Sequence, residues 1–196
     1  MSVKSKLKAQ IRFVNSIQGR KLTSVRKYTD EAYIPINAAL LSNEAPTKAC
    51  QTIIEDLDAL FKSVPAIEDE IIVYRGVTRK HDFGILTGFV STTYNYDTAI
   101  SFADDKTQCC IFIITIPIGT KVLPVEDISM NPTEGEILLP RSGNFIARGN
   151  VFKNGMECFY LDLVNESSSN PRPKTPSKKA DERTLELIQK YASGPF

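Results

Sequence analysis

The chain has 196 residues, 42% of them hydrophobic and 24% charged, with a formal net charge of +1. That composition suits an ordinary folded domain and excludes a collagenous or wholly disordered chain. The longest apolar run, Cys109 to Ile118, is interrupted by Thr115 and Pro117. It falls short of the ~20 residues a membrane-spanning helix needs, so it reads as a buried strand and no membrane is expected. Lys4, Lys6, Lys8 and Arg12 break up the N-terminus, which argues against a Sec-type signal and for a cytoplasmic setting. Cys50, Cys109, Cys110 and Cys158 lack C-x-x-C spacing, and the one histidine, His81, cannot complete a zinc set. Reduced thiols and no metal follow.

Residues 1–29 carry eight basic side chains and no acid, leaving 16 basic against 23 acidic in the remainder. Such an arm suits RNA or an acidic partner, or it is a solvated helix face with Lys4, Lys8 and Arg12 at i, i+4 spacing. In chain order, Lys4 to Ile17 predicts a helix with Leu7, Ile11 and Val14 on one stripe and Gly19 as its stop. Tyr33 to Leu41 predicts a shorter helix entered at Pro35. From Pro46, the residues Cys50, Ile53, Ile54, Leu57, Leu60 and Phe61 recur at helical spacing until Pro65. Beyond Ala66 the period changes to short segments rich in Ile, Val, Phe and Thr. These are Glu70 to Tyr74, Gly88 to Thr93, Cys109 to Ile116, Gly135 to Leu139, Asn144 to Arg148 and Cys158 to Val164, with one helix at Asp97 to Ala103. Helices first and strands second make an α+β, mainly antiparallel fold rather than a doubly wound sheet. Neither G-x-G-x-x-G nor G-x-x-x-x-G-K-[ST] occurs. Residues 165–180 hold three prolines and four serines and read as a linker, followed by a short helix with Leu185, Ile188 and Tyr191 on one side. The expected division is a basic helix at 1–27, a central domain at 28–164 and a tail at 165–196.

Three places carry chemistry. Glu134 and Glu136, in PTEGEILLP, stand two residues apart, so on a strand they share a face roughly 6 to 7 Å apart. Such a pair is either an exposed acidic edge or the partner of a cation. Arg75, in EIIVYRG, ends an apolar strand with a donor fork suited to carboxylate or diphosphate; alternatively it caps the strand in a salt bridge. Gly76 beside it permits close approach of a ligand to the backbone. Ser91, Thr92 and Thr93, in TGFVSTTYN, turn hydroxyls toward a polar partner or toward water.

In order and with their flanks, YRG, F-x-STT and E-x-E followed by ILLPR resemble the motifs of the arginine-serine-glutamate clade of ADP-ribosyltransferases. Bacterial exoenzyme toxins and phage enzymes belong to that clade. Tyr28, Thr29, Tyr33, Ile36 and Asn37 look like its Y-T-x-x-x-Y-x-x-I-N segment, and the resemblance spans about Tyr28 to Val164. It implies a helical lobe followed by two packed, mainly antiparallel sheets, with NAD as substrate in the cleft. It also implies no metal.

By position, the resemblance assigns Arg75 to the dinucleotide phosphates and Gly76 to the nicotinamide carboxamide. Ser91 would orient the catalytic carboxylate of Glu136, Thr92 and Thr93 would back the strand, and Phe102 would pack on nicotinamide. Glu136 would stabilise the positive charge that builds on the ribose as nicotinamide leaves. In the E-x-E type, Glu134 pairs with an acceptor arginine and takes its proton, so the implied partner is a protein with an exposed arginine. That target could be host transcription or translation machinery or a cytoskeletal protein. Residues Glu126 to Thr133, with Ile128 and Met130, would touch it. Thr93 replaces the family's usual serine, and Asp105, beside Lys106, stands where some toxins have a second phosphate-binding arginine. The implied setting is the cytoplasm of a host cell, reached by a phage or as an injected effector. The alternatives are a NAD glycohydrolase using the same pocket, or a non-catalytic module binding RNA or an acidic protein through the basic N-terminus.

Overall fold

A computed structural model describes residues 1–42, 44–77, 85–86, 88–103, 110–153 and 155–164. The helical part comprises α1 (Val3–Lys6), α2 (Lys8–Asn15), α3 (Gly19–Lys27), a π-helical turn (Tyr28–Ala32), α4 (Tyr33–Ser42) and α5 (Lys48–Ser63). The strands are β1 (Ile71–Val77), β2 (Ile85–Leu86), β3 (Val90–Thr93), β4 (Cys110–Ile116), β5 (Leu123–Pro124), β6 (Glu136–Leu139), β7 (Gly143–Lys153) and β8 (Met156–Val164). Between β3 and β4 lies α6 (Tyr96–Phe102), and a 3-10 turn (Pro132–Glu134) leads into β6. The α+β order expected from the sequence is the observed one.

Several local expectations are corrected. The first predicted helix breaks at Leu7, whose side chain is 1% exposed and drops into the core between α1 and α2. Gly19, expected to stop that helix, instead opens α3 with φ +61°. Arg75 lies within β1, opposite Phe112 of β4, because the strand continues to Val77. The tail at 165–196, with its predicted short helix, lies outside the described residues, as do His81, Cys109, Asp105 and Lys106.

The strands run in the order β2-β7-β8-β4-β1-β3-β6-β5. All pairings are antiparallel except β4 with β8, which is parallel among the described strands. β1 and β3 meet at the single pair Tyr74↔Thr93, and this seam divides the order into a long half and a short half. Their inner faces share one core, to which the long half gives Val73, Phe112, Ile114 and Leu161 and the short half gives Val90, Ile137 and Leu139. α3, α4 and α5 cover the outer face of the short half, packing Val25, Ile36, Leu57 and Phe61 on Phe89, Leu123 and Leu138. α6 covers the long half, with Tyr96 and Ala99 against Ile111, Ile113, Cys158 and Tyr160. β4 is therefore apolar on both sides, as a central strand between two layers must be.

The basic N-terminal helices belong to this packing. Leu7 joins the central core and Val14, Ile17 and Val25 join the helical one. Lys4 pairs with Glu126, and Lys6 donates to the Glu70 carbonyl. Inside the helical layer, the buried Asp56 accepts from Arg20 at 2.8 and 3.1 Å and from Ser24 at 2.8 Å. Burial alone would raise this carboxyl, but the bonds from Arg20 and Ser24 outweigh it and hold Asp56 below its ordinary value. The N-cap of α5 is Thr47, whose side chain accepts from the Cys50 N–H. Cys50, Cys110 and Cys158 are buried and unbridged. No described helix is long and apolar enough to cross a membrane.

Gly76 sets the position of α6. A Cβ built there would lie 1.9 Å from the Ala99 carbonyl oxygen and 2.9 Å from the Ala103 nitrogen. The missing side chain admits helix backbone, which cannot yield as a flexible side chain can. Gly76→Ala is expected to destabilise the protein by about 3 kcal/mol, the upper end of what overpacking costs, measured by urea unfolding.

Candidate active site

At the end of the seam a cavity of about 440 Å³ opens between the helical lobe and the two halves of the sheet, within the size range of small-molecule sites. It brings together Arg75 and Gly76 from β1, Ser91, Thr92 and Thr93 from β3, Phe102 from α6, and Glu134 and Glu136 at the start of β6. All eight of these residues were given a role in the sequence reading, and they line this one space. The sequence reading assigned no role to Asp30 and Tyr74, which also line it, as does Asn131 from the segment expected to touch the target. Nor did it assign one to Tyr28, Thr29, Tyr33 and Asn37, although their spacing had been noted. The π-helical turn brings them in by widening the backbone between α3 and α4, which turns Tyr28 and Thr29 inward and leaves Asp30 and Glu31 exposed.

Glu136 is 7% exposed. It stands opposite Thr93 in the β3–β6 ladder, and the hydroxyl of Ser91, two residues back along the same face of β3, favours its charged form. Burial pushes the carboxyl up to about 7; the like charge of Glu134 adds to the rise, while the Ser91 bond and the charge of Arg75 oppose it. Burial also raises Glu134, which is only half-buried.

The two glutamates do not share a strand face, as the alternation rule had suggested. Glu134 ends the 3-10 turn, and Gly135 takes the left-handed conformation with φ 61° and ψ 38° before the ladder begins at Glu136. A glycine is needed there, because other residues adopt positive φ at a cost. Thr93 secures the turn by donating from Oγ1 to the Glu134 carbonyl at 2.6 Å, and Thr92 donates to the Ile137 carbonyl at 2.7 Å. Both threonines therefore fasten the glutamate-bearing segment through its backbone.

Arg75 donates from Nη1 to the Ser91 carbonyl at 2.6 Å, tying the long half to the short half across the seam. Burial pushes its guanidinium below the ordinary value, with Tyr28, Glu136 and Tyr33 acting in the other direction; it stays charged. No ion pair within hydrogen-bonding range joins it to Glu136 among the described residues. Behind the pair, Tyr28 is fully buried and donates to the Phe89 carbonyl, while Asn37 Nδ2 donates to both the Tyr28 hydroxyl and that carbonyl at 3.2 Å. Phe102 stands at the mouth, 51% exposed.

A half-buried cation, a buried carboxylate beside a hydroxyl and an exposed aromatic ring around one cleft suit a dinucleotide's diphosphate, ribose and base. Among the described residues no group of three or more His, Cys, Asp or Glu is placed to hold a metal ion.

The comparisons with known proteins agree. The ADP-ribosyltransferase exoenzyme family model matches residues 5–87 and 81–164. No curated protein matches the chain by sequence. Among solved structures, Plx2a, an ADP-ribosyltransferase toxin from Paenibacillus larvae, superposes with a TM-score of 0.68 at 19% identity, covering 83% of this chain and 94% of that one. An ADP-ribosyltransferase from Clostridium botulinum gives 0.65 at 17% identity, with coverage of 83% and 94%. Exoenzyme S from Pseudomonas aeruginosa, solved with human 14-3-3 protein beta and bound to carba-NAD, gives 0.64 at 19% identity, with coverage of 87% and 88%. With a family match over most of its length and the fold of these toxins, the chain belongs to the ADP-ribosyltransferase exoenzyme family and takes NAD as its substrate.

Proposed function

We propose that this protein is a mono-ADP-ribosyltransferase that modifies arginine side chains of a target protein. The observation that carries the arginine reading is the pair Glu134 and Glu136, which reach one cavity from either side of a left-handed glycine, one at the rim and one buried. Glu136, held by Ser91, stabilises positive charge developing on the NAD ribose. Arg75 holds the diphosphate, with the Gly76 backbone and Phe102 facing the nicotinamide end. Nicotinamide leaves as a neutral molecule, so the site needs no acid for that step.

The acceptor is the harder problem. A free guanidinium is protonated at any physiological pH and is a poor nucleophile. Glu134 pairs with it, aims one nitrogen at the ribose carbon and takes the proton lost on bond formation. A half-buried carboxylate raised by burial is suited to this, because it meets an incoming protein and is a better base than an exposed one. Hydrolysis of NAD by water uses Glu136 without Glu134, which makes glycohydrolase activity the basal reaction of the same site.

Glu136→Gln is expected to lower ADP-ribose transfer at least ~1,000-fold, measured with labelled NAD and a cell lysate; full labelling would overturn the assignment. The same change is expected to raise stability at high pH. Because the folded value of about 7 lies above the ordinary 4.5, the folded state binds the extra proton, and this contribution is complete below about pH 4.5 and lost as pH rises through about 7. The neutral amide removes that loss, so at pH 8 the variant is expected to be more stable than the parent by up to about 3 kcal/mol. For the parent, kcat/KM for NAD is expected to climb with pH to a plateau above about 7 as Glu136 ionises. Glu134→Gln is expected to lose ~100-fold or more in transfer to arginine while NAD hydrolysis stays within a few-fold of the parent. Unchanged transfer would remove Glu134 from the acceptor step.

A further inference from the structure

Tyr94 follows Thr93 at the end of β3 and touches both feet of the loop that carries Glu134. At the first foot, its hydroxyl donates to Glu126 Oε1 at 2.7 Å. At the other, its ring lies against Gly135, where a Cβ would stand 2.8 Å from the ring's Cζ and 2.9 Å from Cε1. The Tyr94 N–H also donates to the Gly135 carbonyl at 3.3 Å. Lys4 closes the arrangement from α1. Its Nζ lies 3.0 and 2.8 Å from the two Glu126 oxygens and 5.2 Å from the centre of the Tyr94 ring.

The remaining length of the loop is anchored from the helical lobe. Asn15 donates to the Asp127 carboxylate at 2.9 Å, Arg26 to the Ile128 carbonyl at 3.3 Å, and the Met130 N–H to Thr29 Oγ1 at 3.3 Å. Glu136 is held differently. It sits in the β3–β6 ladder, opposite Thr93 and beside Ser91, and its carbonyl accepts from the Val125 N–H at 3.0 Å, a backbone bond that does not involve the Glu126 side chain. Loosening the first foot would therefore disturb Glu134 and the exposed Met130 while leaving Glu136 in place.

We propose that Lys4, Glu126 and Tyr94 form a brace through which the N-terminal helix positions the acceptor loop, so that it governs transfer to a guanidinium and not cleavage of NAD. This rests on the arginine reading above. Tyr94 and Lys4 are positioning residues and touch neither substrate. The basic residues at the start of the chain thereby have a role within the enzyme itself. Because the Lys4–Glu126 pair is partly solvent-exposed, its share is small and screened by salt, while the Tyr94 hydroxyl bonds Glu126 from the partly buried side.

The test uses the full chain with NAD and agmatine, a small free guanidinium, and measures ADP-ribosyl-agmatine and free ADP-ribose separately. Tyr94→Phe keeps the ring beneath Gly135 and removes the bond to Glu126. It is expected to lower transfer about tenfold with hydrolysis unchanged within about twofold. Glu126→Gln is expected to act in the same direction, Lys4→Met to lower transfer about threefold, and Lys4→Arg to restore it. A brace with a merely structural role would lower transfer and hydrolysis together, so a proportional fall overturns the proposal, as does unchanged transfer in Tyr94→Phe. A parent protein that hydrolyses NAD yet leaves agmatine unmodified overturns the arginine reading, and the brace with it. Transfer by the parent and by Tyr94→Phe alike overturns the brace alone.

Discussion

The candidate site depends on keeping two opposite charges, the half-buried Arg75 and the buried Glu136, in one cavity without letting them pair directly. Desolvation disfavours both ionised forms and drives the pKa values of the two groups toward each other. In an unconstrained chain the two would collapse into a direct ion pair or turn out to solvent. Here they are carried on opposite sides of a seam, one on the long half of the sheet and one on the short half. Arg75 is committed to the Ser91 carbonyl, while the Ser91 hydroxyl favours the charged form of Glu136. Ser91 thus acts on both groups from between them. On the reading proposed above, a ligand that presents an anion to Arg75 and hydroxyls to Glu136 would replace part of the solvation that burial removes.

The seam itself has a physical cause. β1 and β3 are joined by one residue pair, whereas β1 with β4 and β3 with β6 are paired along their lengths. The two halves can therefore splay apart at one end while staying packed around a shared apolar core at the other. Cover on the outer faces keeps them from sliding. The helical lobe lies on the short half, and α6 lies on the long half at a distance that only the missing side chain of Gly76 allows. Because Phe102 ends α6, the same close packing determines where the aromatic rim of the cleft stands.

The acceptor side is built by other means. Glu134 has no ladder to hold it and depends on a left-handed glycine, a threonine bond to its carbonyl and a loop stitched to the helical lobe at several points. On the reading proposed above, chemistry on NAD belongs to the regular sheet and recognition of the second substrate to irregular backbone. Loops can change to suit a partner without disturbing the core, which is the general reason that specificity is carried on them.

The sequence alone determined the order of helices and strands and the long helix before Pro65, which follow from local causes: hydrophobic period and proline and glycine boundaries. Its motifs, through their resemblance to a family, named eight of the residues that line the cleft, whereas Asp30 and Tyr74 came to it only by folding. The sequence did not show how Glu134 and Glu136 come to face one space, since alternation along a strand predicted a shared face, and a positive φ at Gly135 produces the convergence instead. Nor did it show why Gly76 must lack a side chain, which a helix arriving from twenty-odd residues further along the chain decides. The basic N-terminus read equally well as a nucleic-acid arm or a solvated face. Only packing could bring Lys4 to Glu126, because an ion pair between residues 122 positions apart exists solely when the intervening chain has folded around it.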